Sequence, residues 1–332
     1  MTAQPLIVRA PPQYVERGGE IVYRQPFLAR DVRMYVFILE GDERRIEALY
    51  ENLFVSPSGG SVRVSAVGPY LALTFVEISH LSADESPDNL LGSTSEREAT
   101  IWIPALETRR DRLCWAIPYI FVDNSWAMAS GREIYGFPKQ FGTVEISGDD
   151  GAPATFTVDT TAIERFAPDS VAAQRRVMTV ERTTQAPFSL GAAWTDLAEA
   201  RRTFDGPAES LLQAADQFGV PLLPEVAEFT TRLVGDLVAR RLQAIFLKQF
   251  RDSEDPRVAS YQAVVTVPLA VRRFHGGGLL PSDYVVNIHH LDSQPIRREL
   301  GLPAGTLRPE NALWLNFDFV IERGDVLWEA HR

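Results

Sequence analysis

The chain has 332 residues, 45% of them hydrophobic, enough to bury a substantial core in one large domain or two smaller ones. Its formal charge is −11, from 33 basic and 44 acidic residues, and the basic residues are dispersed rather than clustered beside aromatics, which argues against a nucleic-acid partner. A single cysteine, Cys114, excludes an intrachain disulfide and a cysteine-based zinc site, and no apolar run approaches the ~20 residues of a membrane helix.

The first ~25 residues carry scattered Pro, Gly and Arg without the apolar stretch of a secretory signal, so a cytoplasmic protein is expected. Met34 to Leu39 is apolar and rich in Val, Phe and Tyr, which predicts a strand. Behind Asp42, the residues Ile46, Leu49 and Tyr50 fall at helical spacing and predict a helix over Asp42 to Leu53. Tyr70 to Ser79 reads as a longer strand in which Leu71, Leu73, Phe75 and Glu77 share a face. A carboxylate on such a face, if the face is buried, must be paired or functional. A loop rich in Ser, Asp, Pro and Gly covers 82–95, and further strands are predicted at Ala99 to Ile103, Leu113 to Val122, Gly142 to Ile146 and Ala154 to Asp159.

The run Gly131-Arg132-Glu133-Ile134-Tyr135-Gly136-Phe137-Pro138-Lys139-Gln140 is the most informative stretch. Lysines are scarce here: Lys139 and Lys248 are the two in a chain whose positive charge is otherwise arginine. Lys139 stands among rings, directly after a proline that fixes the backbone. Loss of water disfavours the ammonium form of a lysine. At an ordinary pKa of ~10.4 only about 0.04% of a lysine is neutral at pH 7, and the neutral amine is the nucleophile toward ketones.

Leu211 to Phe250 has a different pattern. Val226, Phe229, Leu233 and Leu237 recur at three- and four-residue steps, predicting one or two amphipathic helices that cover the sheet or a subunit contact. Strands return at Tyr261 to Val271, Tyr284 to His290 and Trp314 to Ile321. Gly276-Gly277-Gly278 lacks the ending of a phosphate loop and reads as a flexible turn. His289-His290 would point to opposite faces of a strand, so no metal site is expected. There is no nucleophile elbow and no Gly-rich dinucleotide fingerprint, so no cofactor is expected. Short strands between turn signals favour an antiparallel sheet or barrel over a Rossmann arrangement. The expected fold is a single α+β domain over residues 1–332, mostly antiparallel and barrel-like, with a helical insertion at about 195–250.

The lysine run resembles the signature of the acetoacetate decarboxylase family: Gly-Arg-Glu, then an aromatic, Pro and the Schiff-base lysine, with Gly142 also matching. The resemblance covers most of residues 30–160 and, more weakly, 255–325. It implies Lys139 as the imine-forming residue, Arg33 as the arginine opening the first core strand, and Glu77 as the glutamate of the second strand. Either Glu96 or Glu98, ahead of Ile101-Trp102-Ile103-Pro104, fills the place of a further glutamate. Lys139, Glu77, Glu96 and Glu98 are thus the candidate catalytic residues, and Arg33, Tyr135, Phe137, Gln140 and Arg132 the candidate substrate-binding ones, with Arg132 and Glu133 bracing the lysine segment. Family decarboxylases carry a second lysine after the catalytic one, where this chain has Gln140, so desolvation alone would have to depress Lys139. Typical members are shorter, and the segment at about 195–250 looks like an addition. The implied function is a lyase acting on a small keto acid, most directly decarboxylation of a β-keto acid through an imine. Related members instead condense pyruvate with an aldehyde, and a non-catalytic binding member is a further alternative. A homo-oligomer is also implied.

Overall fold

The computed structural model describes residues 13–15, 23–148, 153–184, 194–204, 208–217, 222–280 and 283–330. Its elements run β1 (Phe27–Glu40), α1 (Glu43–Tyr50), β2 (Val64–Ala66), β3 (Tyr70–Ala83), β4 (Thr94–Glu107), β5 (Arg112–Val122), α2 (Ser125–Ser130) and β6 (Lys139–Ser147). There follow β7 (Thr155–Ala162), β8 (Ala173–Arg182), α3 (Leu197–Phe204), α4 (Glu209–Gln217), α5 (Pro224–Val238), β9 (Leu242–Arg251), β10 (Ala259–Leu279), β11 (Tyr284–Ile288), α6 (Ile296–Leu300), β12 (Asn311–Ile321) and β13 (Asp325–Glu329). Asp42 caps α1 by accepting a hydrogen bond from the Arg45 amide, and Pro224 opens α5 at its first turn, where a missing N–H costs nothing.

Seven strands close a ring. β1 pairs with β3, β3 with β4, β4 with β5, β5 with β9, β9 with β10, β10 with β12, and β12 again with β1. Closure leaves no open edge in this part of the sheet, the physical advantage of a barrel. Residue alternation then divides each strand between two cores. Val32, Met34 and Val36 of β1, Val76 and Ile78 of β3, Trp102 of β4 and Phe317 of β12 face inward and meet Leu233, Val234 and Leu237 of α5. The alternate residues Tyr35, Phe37, Leu73, Phe75, Ala99 and Ile101 face outward into a second core. There β6 leaves the ring through a parallel pairing with β5, and β7, β8 and β11 continue it as an antiparallel layer. Phe156 of β7 joins the two layers, its ring 5.1 Å from that of Phe37 and 5.2 Å from that of Tyr35.

The α+β class and the barrel-like sheet agree with the sequence reading, and three local expectations do not. Helix does not continue to Phe250: α5 ends at Val238, Arg240 turns the chain at φ 60°, and β9 enters the ring. Leu242, Ala244 and Phe246 point inward while Ile245 points outward, so a dense apolar run hid a period of two. Gly276, Gly277 and Gly278 are not a turn but lie within β10, opposite Asn316, Leu315 and Trp314. A Cβ on Gly277 would stand 2.9 Å from the Trp314 carbonyl oxygen, so close backbone approach is what glycine permits there. The loop over 82–95 is shorter than expected, because β3 runs to Ala83 and β4 begins at Thr94. Among the described residues no helix is long and apolar enough to cross a membrane.

Candidate active site

Lys139 is placed by the turn ahead of β6. Its own amide donates to the Phe137 carbonyl at 2.7 Å around Pro138, and the Phe137 amide donates to the Gly131 carbonyl at 3.0 Å. Arg132 donates from its guanidinium to the Lys139 carbonyl at 3.1 Å, so it braces the lysine backbone rather than reaching a substrate. Gly136 takes φ 77°, and a Cβ there would lie 2.4 Å from the Lys248 Cα, which holds the turn against β9. Lys248 itself donates to the Ile134 carbonyl at 3.1 Å, and burial pushes its pKa down.

The Lys139 side chain enters the barrel, buried to 6% exposure. Its Nζ donates to Glu96 Oε1 at 2.7 Å and lies 3.7 Å from Glu98 Oε2. Sequence left Glu96 and Glu98 as alternatives; residues two apart on a strand share a face, and both reach the lysine. Burial alone pushes the Lys139 pKa down, yet Glu96 and then Glu98 oppose it, and the net direction is upward. The expected depression is therefore absent in the resting site, because two carboxylates surround the amine that desolvation would neutralise. Glu98 is pushed up to about 7, first by burial, with Lys139 pulling it down and Glu96 pushing it up.

The surrounding cavity, about 80 Å³, is bordered by side chains from all seven ring strands and closed at one end by the α2 segment. Its walls are mostly apolar; among the described residues the lysine, the two acids, the hydroxyl-bearing Thr94, Thr100, Ser130 and Tyr23 and two indoles also line it, and Tyr135 uses its own hydroxyl on the Glu322 carbonyl at 2.9 Å. Tyr135 and Phe137 stack at 4.9 Å, Phe137 packs on Phe246 at 4.3 Å, and the Lys139 Nζ lies 5.9 Å from the Phe137 ring centre. Trp102 and Phe246 were not singled out from sequence; counting in twos along β4 from Glu96 reaches Thr100 and Trp102.

Besides Arg132, three expected site residues do not join this cavity. Arg33 and Glu77 are register partners on β1 and β3 and project outside the barrel wall, with Phe75 and Tyr35, because the pleat alternates faces. Glu77 is paired there with Arg97 at 3.1 Å, in a polar cleft of about 560 Å³ that Arg33 and Asp123 also border. That cleft meets the cavity wall at Ile78 and Glu96. Gln140, one residue past the lysine, points to the opposite side and exchanges amide hydrogen bonds with Gln294, donating at 3.2 Å and accepting at 2.5 Å. His289 and His290 lie exposed after β11. Beside the cleft, Asp31, His275 and Asp318 hold three donor atoms within 4.8 Å of one another, an arrangement open to a cation that the sequence reading did not find.

The site is thus a closed barrel with a lysine beside two glutamates in its interior. The family model of acetoacetate decarboxylase (ADC) matches residues 65–190, a span that includes both acids and Lys139. A solved acetoacetate decarboxylase from Legionella pneumophila superposes with a TM-score of 0.58 at 11% identity, over 97% of this chain and 94% of that one. An acetoacetate decarboxylase-like enzyme from Sphingomonas wittichii RW1 gives 0.55 at 12% identity, covering 93% and 96%. The enduracididine biosynthesis enzyme MppR, solved in complex with pyruvate, gives 0.54 at 12% identity, covering 94% and 93%. A comparison with curated proteins found no match in sequence. The family model thus covers the segment that carries Lys139, Glu96 and Glu98, and the fold of the chain is similar to that of acetoacetate decarboxylase structures.

Proposed function

We propose that the protein is an imine-forming lyase acting on a keto acid, first of all in the decarboxylation of a β-keto acid. The observation that carries this reading is Lys139 inside an apolar cavity with Glu96 at 2.7 Å and Glu98 at 3.7 Å. Lys139 gives a proton to the Glu96 carboxylate, and the freed amine attacks the ketone carbon. Glu98, pushed up to about 7 and so partly protonated near neutrality, donates to the departing oxygen as water is lost. The positive iminium nitrogen then accepts the electron pair of the breaking bond to the carboxylate, leaving an enamine and carbon dioxide. Protonation at carbon and hydrolysis return the ketone and the free lysine. Few positive groups face the cavity, which leaves a substrate carboxylate poorly solvated and favours its loss.

A second reading, condensation of pyruvate with an aldehyde followed by dehydration, draws support from the paired acids. That sequence uses the same enamine and adds two proton transfers, for which Glu96 and Glu98 are placed. The likeness to MppR in complex with pyruvate points the same way.

Borohydride trapping with acetoacetate and, separately, pyruvate tests both, read by intact mass and peptide mapping. A reduced adduct on Lys139 is expected, and release of carbon dioxide or of a condensation product separates the two reactions. Absence of an adduct from about pH 5 to about pH 9, across the ordinary titration range of these groups, would leave a binding protein on an enzyme fold.

A further inference from the structure

The Lys139 cavity is not the whole of the space inside the barrel. A second, smaller cavity of about 30 Å³ lies toward α5, among Met34, Val76, Leu233, Leu237, Leu315 and Phe317. Glu98, Trp102, Leu269 and Phe319 border both cavities, so the two abut. Trp102 is a fixed divider, its indole N–H donating to Thr100 Oγ1 at 2.5 Å. Among the described residues no arginine lines either space, and in the smaller cavity every lining residue but Glu98 is apolar. A void between packed apolar side chains forfeits dispersion contacts that a hydrocarbon group would restore. Acetoacetate and pyruvate, with a single methyl each, have nothing to place there.

We infer that the carbonyl substrate carries an apolar substituent, a medium-length alkyl or aryl group, that extends from Lys139 past Glu98 and Trp102 into the cavity beneath α5. This rests on the imine reading of Lys139 and adds the substrate class to it. The substituent fixes which way the carbonyl enters, setting its carbon at the amine and its oxygen toward Glu98. Burial of each methylene multiplies affinity by roughly four, until the space is filled.

The test is borohydride trapping of the wild-type protein with acetone, 2-pentanone, 2-heptanone and 4-phenyl-2-butanone, scored at Lys139 by peptide mass. The concentration giving half-trapping should fall about tenfold or more from acetone to 2-heptanone. In Leu233→Phe, and independently in Met34→Phe, the ratio of the two half-trapping concentrations should shrink toward one. Trapping that is flat or weakens along the wild-type series overturns the inference and leaves the imine reading standing. An adduct with none of the four ketones overturns both. The wild-type series decides the matter even if a variant fails to fold, as a melting curve would reveal.

Discussion

Glu96 meets Lys139 at 2.7 Å with the glutamate side chain 1% and the lysine side chain 7% exposed. In a pair so withdrawn from water each partner depends on the other, and removing one strands the other. Glu96 is the first of the two carboxylates that push the Lys139 pKa up against the effect of burial. Glu96→Gln should therefore let burial prevail and lower the pH at which the amine becomes neutral. The midpoint of Lys139 acetylation against pH, followed by peptide mass spectrometry, is expected to fall by at least about one pH unit, the equivalent of 1.36 kcal/mol. Turnover should fall as well, since the proton acceptor is lost. An unmoved midpoint would mean that Glu96 does not control the charge on the amine.

Glu98 makes a separate prediction about pH. Its carboxyl is pushed from an ordinary 4.5 up to about 7, so between those values the folded chain holds a proton that the unfolded chain has released. Folding binds more protons there, and the contribution of Glu98 to stability falls as pH rises from 4.5 toward 7. Lys139 is pushed up from 10.5, so its contribution is complete below that value and constant through this window. Glu98→Gln removes the titration, and its stability relative to wild type should increase by up to roughly 3 kcal/mol between about pH 4 and pH 8. Denaturant unfolding at several pH values measures this. In imine formation, the wild type should lose rate as pH rises through about 7, and the variant should lack that limb.

The lysine was legible in the sequence because its neighbours in the chain, Pro138 and the flanking aromatics, are also its neighbours in space. The two acids were half legible. Their types were plain and both stood as alternatives, but the expected strand began at Ala99, whereas β4 begins at Thr94 and its pleat carries both to the same side. Arg33 and Glu77 lie outside the cavity for the converse reason: they stand opposite each other across β1 and β3, and the face they share is outside the ring. Which face of a strand becomes the interior depends on closure, and closure depends on β5 pairing with β9, more than a hundred residues apart in the chain and written in no local pattern. The strand β9 was itself concealed by the helix before it.

Two glycines in the lysine segment separate fold from chemistry. A Cβ on Gly131 would stand 3.0 Å from Lys139 Cδ and 3.2 Å from Cε, the movable end of a flexible side chain. Gly131→Ala should keep its stability within about 1 kcal/mol and slow imine formation by about tenfold or more, since the amine is displaced from its partners. At Gly136 the added atom meets Lys248 backbone at 2.4 Å, with φ 77°. Gly136→Ala should destabilise the protein by more than the about 1–2 kcal/mol of the left-handed backbone alone. Melting curves beside trapping rates distinguish the two behaviours; equal loss of stability in both variants would refute the distinction.

Gln140 stands where family decarboxylases have a second lysine, and its geometry says what restoring that residue would do. The side chain leaves β6 on the face opposite Lys139 and is tied to Gln294, which is 5% exposed. A cation there would be separated from the amine by the strand itself and would displace the acceptor of the Gln294 amide. Gln140→Lys should cost about 1–3 kcal/mol through the unsatisfied amide and leave the acetylation midpoint of Lys139 where it was. A fall of one pH unit or more would show that position 140 reaches the amine electrostatically. Short of that, the charge on Lys139 is set by Glu96 and Glu98 from across the barrel, and the residue beside it in sequence has no part in tuning it.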